Sequence, residues 1–335
     1  MKIAVTGGAG FIGSAFVRHW IKNHPEDQLV NIDKLTYAGN LENLKEIERN
    51  PNYFFVKADI ADPKAMLEAL KDVDTLVNFA AESHVDRSIT NPNPFIETNI
   101  KGTAVLLEAA RENGVKKILH FSTDEVFGAL ELSSKNKFTE NTPHNPKSPY
   151  AASKAAAEDV ARAYANTYNL PLIILNLSNN YGPFHFPEKL IPLAITNAME
   201  DKEIPVYGDG LAMREWTYVD DTVLATEAAL EKGKPGETYL FGTEEELPNI
   251  EVLKKILKIL NKPELLLKTV KDRPGHDRRY ALDSSKARKE LGWTNKYDFD
   301  SGLKLTVEWF QKNVDWWKRV KSGEYQKYYE QQYGK

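Results

Sequence analysis

The feature that most constrains the fold is an alternation of short apolar runs with amphipathic segments in the first half of the chain. Six runs are apolar enough to be buried strands: KIAVT (2–6), QLVNID (28–33), YFFVKAD (53–59), TLVNFA (75–80), KKILHFS (116–122) and LPLIILN (170–176). Segments with helical periodicity lie between them, among them AFVRHWIKN, LENLKEIER, PKAMLEALKD and PFIETNIKGTAVLLEAARENG. Near-continuous apolar strands alternating with helices are typical of a parallel sheet covered on both faces. The pattern predicts an α/β, doubly wound (Rossmann) sheet, whose ligands bind beyond the carboxyl ends of the strands.

Beyond residue 176 the alternation of strands and helices becomes less regular, and Pro and Gly are more frequent. Helical stretches remain at 220–232, 249–260, 284–291 and 301–318. A chain of 335 residues is long for a single core. We therefore predict a main domain over 1–176 and a smaller C-terminal lobe over 177–335 that is partly interleaved with it.

Composition excludes several classes of partner. The net charge of −4 is small and no basic stripe or tail is present, so we expect neither nucleic acid nor a membrane surface as partner. No stretch reaches the roughly 18–20 apolar residues that span a bilayer. The chain has no cysteine, which excludes disulfides and thiolate chemistry and makes the cytoplasm the expected compartment. His185 and Glu188 in HFPEK have no further ligands at metal spacing, so we predict no metal.

The first strand runs directly into Gly7-x-x-Gly10-x-x-Gly13 and then into a helical segment. Such glycines permit a tight turn and close approach of a pyrophosphate to the helix N-terminus, although a glycine triplet can also be an ordinary strand–helix turn. Asp33 closes the second strand, where a carboxylate binds the adenosine ribose and favours NAD over NADP. Asp59, at the end of the third strand, is placed either to contact the adenine or to cap the next helix. The context predicts a dinucleotide site, with NAD as the cofactor.

Tyr150 and Lys154 lie four residues apart in SPYAASKAAAED, on one face of a helix predicted to start near Pro149. A lysine ammonium beside a tyrosine, near an oxidised nicotinamide, favours the phenolate and lowers the tyrosine pKa. The phenolate can then take a proton from a sugar hydroxyl as hydride leaves the same carbon. The alternative is two unrelated surface residues of a helix, and the upstream glycine motif favours the catalytic interpretation.

Asp124 and Glu125 are adjacent in FSTDEVFG, directly after an apolar run. Oxidation of a hydroxyl needs no further carboxylates, but elimination of water next to a new ketone needs a base for the C–H and an acid for the departing hydroxyl. Two carboxyls in one confined site do not easily both ionise, so one would be protonated and the other charged. The alternative is a capping Asp beside a solvated Glu.

Seven segments together resemble the dTDP-glucose 4,6-dehydratases of the extended short-chain dehydrogenase/reductase group. They are TGGAGFIGS, NFAAESHVDRSI, STDEVFG, SPYAASKAAAE, SNNYGPFHFPEKLIPL, MREWTYVDD and DRPGHDRRYALD, which occur in this order from residue 1 to about residue 293. The Thr123–Asp124–Glu125 triplet is the most specific of these. Phe127, where Tyr is common, and Asn176–Leu177 are local variations that remove no group the chemistry uses.

The resemblance implies a reaction and a role for each matching residue. Bound NAD would oxidise carbon 4 of a nucleotide-linked hexose, water would leave across carbons 5 and 6, and hydride would return to carbon 6. Asp124 would be the general acid, Glu125 the general base and Tyr150 the oxidation base; Thr123 would bind the sugar 4-oxygen, and Lys154 would hold Tyr150 and the nicotinamide ribose. The predicted cofactor contacts are Gly7, Gly10, Phe11, Ile12, Gly13, Asp33, Lys34, Thr36, Asp59, Ile60, Ala80, Ala81, Ser83, Thr98, Ser122, Tyr150, Lys154 and Asn180. The predicted substrate contacts are Ser83, Thr123, Asn179, Lys189, Leu190, Pro205, Tyr207, Arg214, Asn249, Arg273 and His276.

Several alternatives stay open at this point. Arginines give the planar contacts that a diphosphate needs, yet Arg273 and His276 alone would also be ordinary residues of a charged loop. An epimerase would use the same glycine turn and Tyr–Lys pair without the two carboxylates, and a non-catalytic NAD-sensing or scaffold protein would turn over no sugar. dTDP-glucose is favoured by the resemblance only, so UDP, CDP and GDP sugars also remain. The resemblance further implies a role in dTDP-rhamnose biosynthesis.

A homodimer is the predicted assembly. Two long helical segments, near 92–113 and 149–168, carry Ala- and Leu-rich faces. The resembled family pairs such helices as a four-helix bundle across a two-fold axis.

Overall fold

A seven-stranded, all-parallel sheet forms the centre of the computed structural model, which describes residues 1–322. Its strand order is β10–β6–β5–β4–β1–β2–β3. The strands are β1 Lys2–Thr6, β2 Gln28–Asp33, β3 Tyr53–Lys57, β4 Thr75–Asn78, β5 Lys117–Thr123, β6 Leu172–Leu177 and, from the second half of the chain, β10 Thr238–Phe241. The six predicted strands and the doubly wound fold are confirmed, with ends that differ by one or two residues.

Helices cover both faces of this sheet because side chains alternate along each strand. Ile3 and Val5 of β1 join an apolar cluster on one face, whereas Ala4 joins a cluster on the other. The helices are α1 Phe11–Asn23, α2 Pro63–Ala69, α3 Val85–Thr90, α4 Asn93–Phe95, α5 Thr103–Glu112, α6 Pro149–Tyr168, α7 Leu190–Met199, α8 Val219–Lys232, α9 Asn249–Ile259, α10 Ser285–Leu291, α11 Phe299–Lys312 and α12 Val314–Lys321, with a π-helical segment Ile96–Gly102 between α4 and α5.

The remaining strands build a smaller lobe. β7 Asn179–Tyr181, β9 Met213–Tyr218 and β11 Glu246–Pro248 form one sheet, and β8 Ile204–Tyr207 pairs with β12 Leu267–Val270. Its apolar core is contributed largely by α7, α9, α11 and α12. Because β10 pairs with β6, the main sheet takes residues from both halves of the chain. The boundary at residue 176 stays a prediction, and the predicted lobe's residues 323–335 lie outside the described residues.

Two predicted helices were wrong in detail. Only Leu41–Leu44 of LENLKEIER is helical, as a 3₁₀ turn, and the next backbone bonds keep the tighter spacing, as in Ile47 N–H to Leu44 O. The Asn43 side chain is buried there and donates to Ala9 O at 3.0 Å, which holds the segment against the glycine turn. The helix predicted over 301–318 is two helices, because Asn313 ends α11 with both its backbone and its side-chain N–H donating to Trp309 O.

Candidate active site

A cavity of about 430 Å³ opens at the carboxyl ends of the strands. The chain leaves β1 towards β2 on one side and later starts β4 on the other side of β1, so the strand order reverses between β1 and β4. In doubly wound sheets the crevice at this reversal is the usual ligand site. Gly7 after β1 and Ala80 after β4 lie on its wall, and the lobe closes it through residues such as Tyr207 and Arg273.

The glycine turn leaves room for a phosphate against the backbone. Gly7 has φ +70°, and a Cβ there would lie 2.7 Å from the Ala80 nitrogen. A Cβ on Gly13 would lie 2.3 Å from Gly7 O, so this helix turn can approach the strand only as glycine. Within the described residues no side chain caps the start of α1, and Gly10, Phe11, Ile12 and Gly13 at this end of the helix line the cavity. The chemistry of the turn therefore fits the pyrophosphate of a dinucleotide.

Asp33 is held rigidly at the end of β2. Its Oδ2 accepts from Ala9 N–H at 3.0 Å and its Oδ1 from Leu35 N–H at 2.8 Å, while burial raises its pKa. Lys34 does not pair with Asp33 but with Asp59, at 2.6 Å. Asp59 does not cap the next helix, since Asp62 does so. Asp33 and Asp59 both line the cavity, in positions that suit an adenosine.

Tyr150 and Lys154 lie on the first turns of α6, which starts at Pro149 behind the N-cap Ser148. Tyr150 N–H donates to Ser88 Oγ at 3.1 Å, and Lys154 Nζ donates to Phe121 O at 2.5 Å. Both side chains are buried and both line the cavity. Burial lowers the pKa of Lys154 to about 8, although the negative charge of Glu158 acts to raise it.

The predicted lowering of the Tyr150 pKa depends on an oxidised nicotinamide and stays a prediction. Within the chain itself, burial raises the Tyr150 pKa, and the carboxylate charge of Glu125 raises it further. Lys154 donates to the Phe121 carbonyl on β5, so its ammonium does not offset these effects. A bound oxidised nicotinamide would supply a positive charge that acts to lower the Tyr150 pKa.

The Thr123–Asp124–Glu125 triplet forms the junction between β5 and a 3₁₀ turn, Asp124–Phe127. The Thr123 hydroxyl accepts from Glu125 N–H at 3.3 Å and donates to Asp124 Oδ1 at 3.2 Å. Glu125 is half-buried and lines the cavity, whereas Asp124 is 2% exposed and lies behind its wall. Among residues 1–322, Asp124 Oδ2 has no hydrogen-bond partner. The pair is therefore not a cap beside a solvated side chain.

The two carboxyls differ in their electrostatic surroundings. Burial raises the pKa of Asp124 well above its usual range, the charge of Glu125 adds to this, and among the basic side chains Arg214 acts against it. Burial also raises the pKa of Glu125, but Arg214, Lys189 and Arg273 act against it. The geometry therefore favours a protonated Asp124 beside an ionised Glu125.

The far end of the cavity is basic. Lys189 Nζ donates to Ser83 O at 2.7 Å, and the Arg214 guanidinium lies 4.2 Å from the centre of the Tyr280 ring. Arg273 lies 3.5 Å from Asp86 and over the Tyr207 ring at 4.8 Å. Arg273 is thus a cavity residue rather than an ordinary surface charge.

His276 is held beside this basic end. Its Nδ1 lies 2.6 Å from Asp272 Oδ1, and burial lowers its pKa to about 4. It is therefore neutral near pH 7.

The cavity collects the predicted residues from both halves of the chain. Of the residues predicted above to bind cofactor or substrate or to act in catalysis, Asp124 alone is not on the wall of this described cavity. Their individual roles stay predictions. His84, Arg87 and Glu188 form a further charged group to which no role was predicted; Arg87 is half-buried and pairs with the buried Glu188 at 3.0 Å. All three lie within the quoted motifs, and charged residues among apolar neighbours were the available signal.

No group of His, Cys, Asp or Glu within residues 1–322 has the arrangement to hold a metal ion. Over the same residues, no helix combines the length and hydropathy required to cross a bilayer.

The fold and the cavity define a dinucleotide-dependent enzyme of the extended short-chain dehydrogenase/reductase class. A family model described as GDP-mannose 4,6 dehydratase matches residues 4–306, and the chain belongs to this family. An Escherichia coli protein named dTDP-glucose 4,6-dehydratase is 51% identical, covering 97% of this chain and 98% of its own. One from Neisseria meningitidis is 50% identical, covering 97% of each.

Solved structures agree with these sequence relationships. The dTDP-glucose 4,6-dehydratase DesIV of Streptomyces venezuelae, with NAD and TYD bound, has a TM-score of 0.93 at 44% identity and covers 96% of this chain and 100% of its own. A dTDP-glucose 4,6-dehydratase of Bacillus anthracis in complex with NAD has a TM-score of 0.89 at 46% identity, covering 96% and 99%. A UDP-glucose 4-epimerase of Thermotoga maritima, with UDP-glucose, is more distant, with a TM-score of 0.85 at 33% identity and coverage of 94% and 100%.

Proposed function

We propose that this chain is an NAD-dependent lyase that converts dTDP-glucose into dTDP-4-keto-6-deoxyglucose. The observation that carries the proposal is the Thr123–Asp124–Glu125 turn beside Tyr150 and Lys154 at one cavity. Relatives that are about half identical along nearly the whole chain, and carry that activity in their names, support it. An epimerase would need the Tyr–Lys pair but would have no use for a buried acid next to a base.

The burial and position of each residue determine its proposed role in the reaction. Bound NAD would supply the hydride chemistry, taking hydride from carbon 4 and returning it to carbon 6 within one turnover. Tyr150 takes the proton of the 4-hydroxyl, and Thr123 holds the 4-oxygen. Glu125, ionised and on the cavity wall, removes the carbon 5 proton that the ketone has acidified. Asp124, protonated because it is buried, would supply the proton to the departing hydroxyl. The Thr123 hydroxyl, 3.2 Å from Asp124 Oδ1, would relay this proton by accepting from Asp124 and donating towards the cavity, the reverse of the direction of this bond in the structure.

Basic side chains would hold the diphosphate. Arg214 and Arg273 offer planar forks that match phosphate oxygens, and Lys189 adds a point charge nearer the sugar. Asp33 would bind the adenosine ribose and exclude a 2′-phosphate by repulsion. These residues would therefore bind the nucleotide of the substrate at one end of the cavity and the adenosine of NAD at the other.

Incubation with a panel of dTDP-, UDP-, CDP- and GDP-hexoses tests the function. We expect the product of dTDP-glucose to be lighter by one water, with no net consumption of nicotinamide. Substrate deuterated at carbon 4 should carry its label to carbon 6. Epimerised sugar of unchanged mass, or no turnover on any member of the panel, would contradict the proposal.

We also propose a homodimer built on α6 and the helical stretch 96–112. These elements pack side by side and leave apolar groups outward: Ile96 is 50% exposed, and Ala152 and Ala163 are exposed. Small residues permit close helix approach, and two copies of such a pair bury each other as a four-helix bundle. A cytoplasmic location and a role in dTDP-rhamnose biosynthesis stay predictions.

A further inference from the structure

Glu158 is a buried charge that the chemistry above does not use. It lies one turn beyond Lys154 on α6 and is 0% exposed. Its Oε1 accepts from Arg162 Nη2 at 2.6 Å and lies 3.3 Å from His144 Nε2. Its Oε2 accepts from Asn176 Nδ2 at 2.9 Å. A carboxylate this deep is costly unless its partners hold it ionised.

These contacts link α6 to the strand end that carries the other catalytic groups. Asn176, on β6, uses the same Nδ2 to reach Thr123 O at 3.3 Å, at the last residue of β5. Lys154 Nζ donates to Phe121 O, two residues earlier on β5. Glu158 therefore connects the helix of Tyr150 and Lys154 with the strand that leads into Asp124 and Glu125.

The charges around Glu158 come from several elements. Arg162 on its own helix and His144 from the preceding loop lie next to the carboxylate, and His144 also pairs with Asp159 at 3.1 Å. Although burial opposes ionisation, these partners hold the pKa of Glu158 at about 2. The carboxylate is therefore charged throughout the pH range in which an enzyme works.

Few charges face Lys154. On its own helix it faces Glu158, which raises the Lys154 pKa against the burial that lowers it. From β5 it faces His120, which stays neutral because burial lowers its pKa to about 3. Glu125 lines the same cavity from the turn after β5.

We infer that Glu158 is a positioning residue of the proposed reaction: it places a buried carboxylate one turn from Lys154 on α6 and, through Asn176, holds the end of β5 in register with α6. The inference rests on the proposed function for its catalytic consequence. Its effect on Lys154 is a property of the folded chain and can be measured separately.

The test compares Glu158→Gln with Asp159→Asn in the NAD-loaded enzyme. Gln keeps the shape and an acceptor but removes the charge. Asp159→Asn removes a carboxylate one residue further along α6, where the side chain is 65% exposed and contacts His144 from outside. Lysine labelled with ¹³C at Cε, with the Lys154 signal assigned from Lys154→Met, gives the titration of Lys154 by NMR.

We expect Glu158→Gln to lower the Lys154 titration midpoint by about one pH unit or more, as loss of a neighbouring opposite charge does. The alkaline fall of turnover on dTDP-glucose should move by the same amount to lower pH, so that activity relative to the unaltered enzyme recovers as the pH is lowered. Asp159→Asn should leave both midpoints unchanged. A rate reduced equally at every pH, with an unmoved Lys154 titration, would overturn the inference.

Loss of the charge partner could also unfold the chain through an unpaired Arg162. The double variant Glu158→Gln/Arg162→Gln removes both charges of the pair. A shift of Lys154 in the same direction but smaller is expected, because the lost positive charge of Arg162 partly offsets the lost carboxylate. Failure of both variants to fold would make Glu158 a residue of stability alone and would also overturn the inference. If the unaltered enzyme removes water from no nucleotide hexose, the proposed function fails, and the NMR titration still decides the role of Glu158.

Discussion

Asp124 and Glu125 are neighbours in the chain but occupy different environments. The extended backbone of Thr123 turns into a 3₁₀ helix at Asp124, which places one carboxyl behind the cavity wall and the other on it. Burial and the charge of Glu125 raise the pKa of Asp124 well above its usual range, against the charge of Arg214. For Glu125, three basic side chains oppose the rise that burial causes, which favours its ionised form relative to Asp124. One short turn thereby provides an acid and a base from two side chains of the same chemical type.

Substitution should separate the two halves of the reaction. Asp124→Asn cannot donate the proton and Glu125→Gln cannot accept one, so each should slow water loss by about 10²–10⁴-fold. Absorbance of reduced nicotinamide should still appear on mixing with dTDP-glucose, because Tyr150 is intact. Tyr150→Phe should abolish that absorbance, and Tyr168→Phe, at the exposed end of the same helix, should behave as the unaltered enzyme. Normal water loss in both carboxylate variants would remove the chemical support for a dehydratase.

Turnover should be bell-shaped in pH. Glu125 acts ionised and its pKa is raised by burial, so activity should fall with decreasing pH at values above those of an exposed glutamate. Lys154 acts protonated and burial lowers its pKa to about 8, so activity should fall as the pH rises beyond that value. Steady-state rates of water loss from dTDP-glucose between about pH 5 and 10 measure both limbs. A rate that stays constant to the alkaline end would contradict the role of Lys154.

At the scale of elements, the last described helix supports the cofactor turn. Trp316 of α12 donates from Nε1 to Asn43 Oδ1 at 3.1 Å, and Asn43 Nδ2 donates to Ala9 O at 3.0 Å. Ala9 N–H in turn donates to Asp33. Arg319 of α12 also pairs with Glu42 in the same segment. Helix α12 thus stabilises the segment around Asn43, and this segment in turn stabilises the glycine turn.

Variants of two neighbouring tryptophans should distinguish an effect on the glycine turn from a general loss of folding stability. Trp316→Ala and Trp317→Ala each remove a buried ring, so each should lower the free energy of unfolding by about 3–5 kcal/mol. Only Trp316 reaches Asn43, since Trp317 Nε1 donates to Phe310 O within the lobe. Trp316→Ala should therefore also weaken NAD binding by about five- to tenfold, the net effect of one or two lost hydrogen bonds. Calorimetric titration with NAD, below the unfolding transition, measures this; equal affinity in both variants would contradict the coupling.

For the whole molecule, the outward faces of α6 and the 96–112 stretch predict how copies associate. Ile96→Asp places a charge on the proposed interface and should give a monomer by light scattering at micromolar concentration. Leu265→Asp is the matched control, because Leu265 is 78% exposed and lies in the C-terminal lobe, and it should remain a dimer. A monomeric unaltered chain, or a dimeric Ile96→Asp variant, would remove the proposed four-helix interface.

Local patterns determined much of this protein before any tertiary structure was considered. The apolar runs specified six strands and the glycine motif specified the tight turn between β1 and α1, because hydrophobic period and backbone freedom are properties of neighbouring residues. The Tyr150–Lys154 spacing on α6 is local in the same sense. Packing decided the rest: LENLKEIER is a 3₁₀ turn because Asn43 is drawn to Ala9, and β10 joins the sheet from a distant part of the chain. The different surroundings of Asp124 and Glu125, the rise in the Tyr150 pKa within the chain and the burial of Glu158 also result from packing. Burial and the distance to charges on other elements set the energy of an ionised group, and no local pattern encodes either of them.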